Sequence, residues 1–167
     1  MNTDINHQTW YVYSKMEYIG ANRNIKSNMI WGCLWDETLE WLVESGSKSY
    51  EEIGVDSTNW GNYQNSTFTY TTTSGSTSTK SEGSYKMVPT GSSEYTKANN
   101  IYDMAGNVYD CTLEADSPER RYYRGGNYNF NGSYYPSSYR IYLYPDCSYC
   151  DARCQSVLYN PVATFHW

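Results

Sequence analysis

Only one stretch of this chain carries a clear helical period, and that limits what the rest can become. In WDETLEWLVESG, Trp35, Leu39, Leu42 and Val43 fall at i, i+4, i+7 and i+8, one face of an amphipathic helix. Asp36 suits the N-cap, Glu37 and Glu40 lie near the positive end of the dipole, and Gly46 suits the C-terminal turn. A second helical stretch is expected around Ser14 to Asn22. The 167 residues allow one domain with a single core. Much of its apolar mass must be aromatic, because 20 Tyr and 6 Trp stand against few aliphatic residues. That balance favours wide aromatic faces and many loops over a helical bundle.

The net charge of −6 argues against a nucleic-acid partner, since phosphate binding calls for a basic stripe. No 18-residue apolar run is present, so no membrane insertion is expected. The start, MNTDINHQTW, lacks the basic-then-apolar layout of a secretory signal. The chain is expected to be soluble as it stands, or to be the trailing domain of a longer protein.

Residues 1–27 read as a lead-in and 160–167 as a tail. From Asn59 to Glu94 the chain is polar, and the Ser/Thr-rich run at 65–85, with Gly75 and Gly83, predicts a long mobile loop or a β-hairpin excursion. Asn65-Ser66-Thr67 and Asn131-Gly132-Ser133 fit the glycosylation sequon, which matters only in a eukaryotic secretory route. NNIYDMAGNVYDC predicts short apolar-alternating pieces around a tight turn at Ala105-Gly106-Asn107. RRYYRGG reads as a strand ending at Gly125-Gly126, and Ser156 to Tyr159 as a closing strand.

Residues 125–154 contain no Lys, Glu, Gln, Trp or Met, types that make up about a sixth to a fifth of the chain. Five cysteines form an odd set. Cys33 and Cys111 read as small core hydrophobes. Cys147, Cys150 and Cys154 form a C-x-x-C core that lacks the four ligands of structural zinc, with His166 a poor fourth. A Cys147–Cys150 disulfide, or three thiols, fits better. His7 and His166 lie at opposite ends and form no triad. Glu37, Glu40, Glu44, Glu51 and Glu52 read as a solvated helix face. Gly125-Gly126 is no phosphate loop.

The strings NNIYDMAGNVYD, RYYRGG, SSYR and SVLY, in that order, resemble the formylglycine-generating-enzyme domain family, whose familiar run is N-x-Y-D-M-A-G-N-V-W-E-W, then R-G-G, then a closing G-F-R. IWGCLWDETLEWL and PTGSSE look like the upstream part of bacterial and phage members. The resemblance implies an α+β, C-type-lectin-like fold with small antiparallel sheets, one or two helices and long loops. The enzymes of that family place two cysteines around the Y-R after R-G-G. Here Pro136 and Ile141 stand in those neighbourhoods, and neither replaces a thiolate. The W-E-W positions read Tyr109, Asp110 and Cys111, and the G-F-R positions read Arg153, Cys154 and Gln155. Some members bind calcium near G-N-x-W-E. Asn107 and Asp110 offer oxygens there, but the shorter carboxylate does not support the metal, and no cofactor is expected.

The same fold has a non-enzymatic branch, the variable proteins of diversity-generating retroelements, and the segment after Gly126 resembles their variable region. There a reverse transcriptase copies a template with its adenines mutated. Randomised AAC or AAT codons never yield Lys, Glu, Gln, Trp or Met, the set missing at 125–154. The resemblance implies a binder of a protein or glycan ligand on a cell surface, carried on a phage virion or a bacterial surface. Its contact positions would be Tyr128, Asn129, Phe130, Asn131, Tyr134, Tyr135, Tyr139, Ile141, Tyr142, Leu143, Tyr144, Asp146, Cys147, Tyr149, Cys150 and Asp151. Gly132, Pro136, Arg140 and Pro145 would be scaffold. Tyr, Asn and Ser are the staples of antibody paratopes for the same physical reasons. Alternative readings are an oxidase with a rearranged site at Cys147–Cys154, or a carbohydrate-binding module.

Overall fold

Trp35, Leu39 and Leu42 face the core as the period predicts, but their helix starts earlier than the capping pattern suggests. The computed structural model describes residues 26–146, 152–154 and 156–159. The expected Ser14–Asn22 helix, the tail, His7, His166, Cys147, Tyr149, Cys150 and Asp151 lie outside them. Helix α1 spans Gly32–Glu44, and Trp31 precedes it without a side-chain cap. Asp36 is therefore not the N-cap; it sits a turn inside, paired with Arg124. Packing sets the start instead. A Cβ on Gly32 would meet the Glu114 carboxylate at 2.3 Å, so only glycine lets the first turn approach that chain.

At the other end, Gly46 is left-handed (φ 72°), with Gly46 N–H donating to Val43 O and Ser47 N–H to Leu42 O. That is the Schellman pattern. Cys33 corrects its sequence reading: it is exposed, because two helical steps turn it about 200° from inward-facing Trp35. Cys111 is buried. Helix α2 (Tyr50–Gly54) opens on a capping box between Ser49 and Glu52.

Strands β2 (Phe68–Thr71) and β3 (Thr77–Lys80) pair antiparallel, so the Ser/Thr-rich run is a hairpin. Phe68 and Tyr70 face inward with Val88, while the alternate threonines face out. The hairpin ends on Lys80, which is fully buried. Strands β4 (Lys97–Ala98) and β5 (Ile101–Tyr102) form a second small ladder.

The A-G-N turn is a backbone device. Gly106 (φ 69°) lies where a Cβ would meet Asn62 O at 2.3 Å. Asn107 is also left-handed, at φ 64°. Its side chain accepts from Val88 N–H (3.0 Å) and Asn62 Nδ2 (3.0 Å) and donates to Val88 O (3.0 Å). The Asn107 side-chain oxygen is thus spent on protein donors. Asp110 is fully buried.

The largest sheet runs in the order β8 (Arg140–Leu143), β7 (Arg121–Arg124), β6 (Tyr109–Cys111), β9 (Ala152–Cys154). Its pairs are antiparallel except β6–β9, which is parallel. Tyr109, Cys111, Tyr123 and Ala152 build its inner face with Met29. Tyr109, Asp110 and Cys111 are all buried. Strand β1 (Lys26–Met29) pairs antiparallel with β10 (Ser156–Tyr159), the closing strand predicted from sequence. The result is a mixed α+β protein with small sheets and two helices among the described residues.

Candidate functional site

The candidate segment begins where β7 must leave the sheet. Gly125 (φ 86°) and Gly126 (φ 70°) both adopt left-handed backbone. A Cβ on Gly126 would stand 2.3 Å from Tyr135 O, and one on Gly125 3.0 Å from Met104 O. The Tyr63 hydroxyl, in a fully buried ring, donates to Gly125 O at 3.0 Å. Burial pushes that phenol's pKa up, so it stays a neutral donor.

Beyond the glycines, residues 127–139 form an irregular loop held mainly by its backbone. Tyr128 N–H donates to Asn107 O (3.0 Å), and Gln64 N–H to Phe130 O (2.8 Å). Gly132 N–H donates to Asn65 Oδ1 (3.0 Å), and Ser57 N–H to Gly132 O (3.1 Å). Ser137 N–H donates to Ser57 Oγ (2.9 Å), and the Trp35 indole donates to Ser137 O (3.2 Å). Ser138 N–H donates to Ile53 O at 3.2 Å. In each pair the candidate segment supplies a main-chain atom and the scaffold supplies the rest.

The side chains divide by exposure. Phe130, Tyr134, Tyr142, Tyr144 and Asp146 point out, with Tyr134 75% and Tyr144 61% exposed. Tyr128, Asn129, Asn131, Tyr135, Tyr139, Ile141 and Leu143 are half-buried. In β8 strict alternation turns Ile141, Leu143 and the preceding Tyr139 toward the core and leaves Arg140 and Tyr142 outside. Asn131 Oδ1 accepts from Asn65 Nδ2 (3.0 Å), Ser133 N–H (2.9 Å) and Ser133 Oγ (2.7 Å). The asparagines of both sequons are therefore bonded to each other. Pro136 is buried, and Ile141 packs partly buried against the inner face of the sheet.

Two aromatic groupings result. In the loop, Phe130 and Tyr135 have centroids 4.2 Å apart, and Tyr135 and Tyr139 4.5 Å. On the outer face of the sheet, the register Tyr122↔Tyr142 brings two rings edge to face at 6.5 Å. Arg120 lies over Tyr142 (4.6 Å) and Arg140 over Tyr122 (4.1 Å). Asp116 accepts from the Tyr122 hydroxyl (2.8 Å) and pairs with Arg120 (3.3 Å), while Glu114 pairs with Arg140. The Tyr122 bond holds the Asp116 carboxyl below its ordinary pKa and raises that of the phenol. At the covered end of the same face, burial pushes Arg124 down to about 10, so it remains a cation beside Asp36.

Arg120 and Tyr122 precede the restricted segment and were not among the residues expected from sequence. Their period-two spacing with Arg124 in RRYYR, once that run is a strand, places all three on one face. Beyond Arg120, Pro118, Glu119, Tyr144, Pro145 and Asp146 line a cleft of about 290 Å³. A larger groove of about 480 Å³ is lined by residues of β2, β3 and 92–95, none in the candidate segment. Among the described residues no cluster of His, Cys, Asp or Glu could hold a metal ion, and no helix is long and apolar enough to cross a membrane.

No family model and no curated protein matches the chain. Among solved structures it is similar to Treponema denticola variable protein 1, at 18% sequence identity and a TM-score of 0.47. The match covers 81% of this chain and 48% of that one, so the chain spans about half of that protein's length.

Proposed function

We propose that this chain is a non-enzymatic ligand-recognition domain of C-type-lectin-like fold, whose contact face is diversified by a retroelement. The observation that carries the reading is the division of labour in residues 127–139. Most scaffold bonds there go to main-chain atoms, the Asn131 and Ser137 side chains excepted, so the outward side chains can change while the loop keeps its path. A segment built in this way tolerates substitution, and its residue alphabet is the one adenine mutagenesis of AAC or AAT codons allows.

In this reading Phe130, Tyr134, Tyr142, Tyr144 and Asp146 contact ligand directly. Tyr135 braces Phe130 and is itself backed by Tyr139, and Ile141 and Leu143 serve the core. Arg120, Tyr122 and Arg140 are fixed neighbours that present Tyr142 in one orientation. Rigid aromatic rings lose little entropy on binding and dominate interface energy, with about 2 kcal/mol or more from the best of them. The partner is a protein or glycan on a cell surface, and the carrier is a phage virion or bacterial surface.

The test is a display library. Phe130, Tyr134, Tyr142, Tyr144 and Asp146 are randomised together and sorted first for folding, then on unrelated target proteins. The expected result is that most members fold and that binders to several targets emerge. A library in which most members unfold would overturn the reading.

A further inference from the structure

Lys80 is fully buried, yet none of the ion pairs among the described residues includes it. Its ammonium instead meets four oxygens of one short turn. It donates to Tyr63 O, to Gln64 O (3.2 Å), to Ser66 O (2.8 Å) and to Ser66 Oγ (3.3 Å). An ammonium has three protons, so four acceptors surround it more as a coordination shell than as a salt bridge. Burying a cation without a carboxylate is costly, and the carbonyl dipoles offset that cost only while they point inward at it.

The opposite edge of the same turn meets the candidate face. Gln64 N–H donates to Phe130 O (2.8 Å), Asn65 Nδ2 to Asn131 Oδ1 (3.0 Å), and Asn65 Oδ1 accepts from Gly132 N–H (3.0 Å). In a trans peptide the Gln64 N–H points opposite to the Tyr63 carbonyl, so drawing that carbonyl toward Lys80 turns the Gln64 amide to Phe130 O, and the next side chain, Asn65, holds Asn131 and Gly132. These are the groups that fix residues 130–132, which carry Phe130 and lead into Tyr134. We infer that Lys80 is a positioning residue, a built-in cation whose carbonyl shell presets the 63–66 turn as the template for the 130–132 turn of the recognition face. The description of 130–132 as a recognition face rests on the proposed function; the coupling between the two turns does not.

Amide hydrogen exchange on the whole chain tests the coupling without any ligand. In Lys80→Met, the Gln64 and Gly132 amides are expected to exchange about tenfold faster or more, while amides paired between β7 and β8 keep their protection. Lys80→Gln, which keeps one donor group, should fall between Met and wild type, and it carries the test if Lys80→Met does not fold. Equal acceleration throughout the chain would mean general destabilisation, and no change at residues 64 and 132 would mean no coupling. Either result overturns the inference. Because the readout needs no ligand, a failed display library leaves it intact, and its own failure leaves the library result standing.

Discussion

Tyr134 and Trp35 show how differently two aromatic residues can serve this chain. Tyr134 is 75% exposed, and Tyr134→Ala should change stability by no more than about 0.5 kcal/mol in urea denaturation. Trp35 is fully buried and its indole holds the loop through Ser137 O, so Trp35→Ala should cost about 3–5 kcal/mol. Asn107 belongs with Trp35. Asn107→Ala leaves Val88 N–H and O buried without their partner, at about 1–3 kcal/mol for each orphaned group, measurable in the same titration. The turn at Ala105-Gly106-Asn107 is legible in the sequence because glycine and asparagine announce left-handed backbone. The clip to Val88 is not, because its partner lies 19 residues away and nothing local encodes the pairing.

Among the elements, α1 is the most legible and also shows the limit of reading caps. Its apolar period places Trp35, Leu39 and Leu42 correctly, and Gly46 marks its end. Its start follows tertiary packing of Gly32 on Glu114, which outweighs the local preference of Asp36 for a cap. Helix α2 gives an acid-sensitive prediction. Burial pushes the Glu52 carboxyl up, but hydrogen bonds from the Ser49 backbone and Lys48 outweigh it, leaving its pKa below 4.5. A depressed folded pKa stabilises above the unfolded value and is lost as pH falls through the folded one. The stability gap between wild type and Glu52→Gln should therefore be present at neutral pH and close as pH drops below about 4.5. Its size should be at most about 1 kcal/mol, since the side chain is 35% exposed and solvent-screened. Thermal melts across that range check it. In β8 the alternation of Ile141 and Leu143 against Tyr142 follows from strand geometry, but which set faces out depends on the register with β7.

For the whole molecule, the restricted alphabet of residues 125–154 marks where the proposed variation would fall, and tolerance to it would have to come from the scaffold. Ser57, Gln64, Asn65 and Trp35 reach the loop from sequence-distant elements and hold its main chain. Arg120 and Tyr122 are not legible beside Tyr142 in the sequence, since only strand pairing brings them together. If residues 125–154 are one draw from a mutable cassette, as proposed, the gene and its flanking DNA carry the record. Sequencing that DNA is expected to find a nearby near-copy of the coding stretch for these residues, carrying adenines wherever the two differ, beside a reverse-transcriptase gene. Differences should fall at the codons of Phe130, Tyr134, Tyr142, Tyr144 and Asp146 and spare those of Gly125 and Gly126. A flank without such a repeat, or a repeat whose differences fall at bases other than adenine, would contradict it.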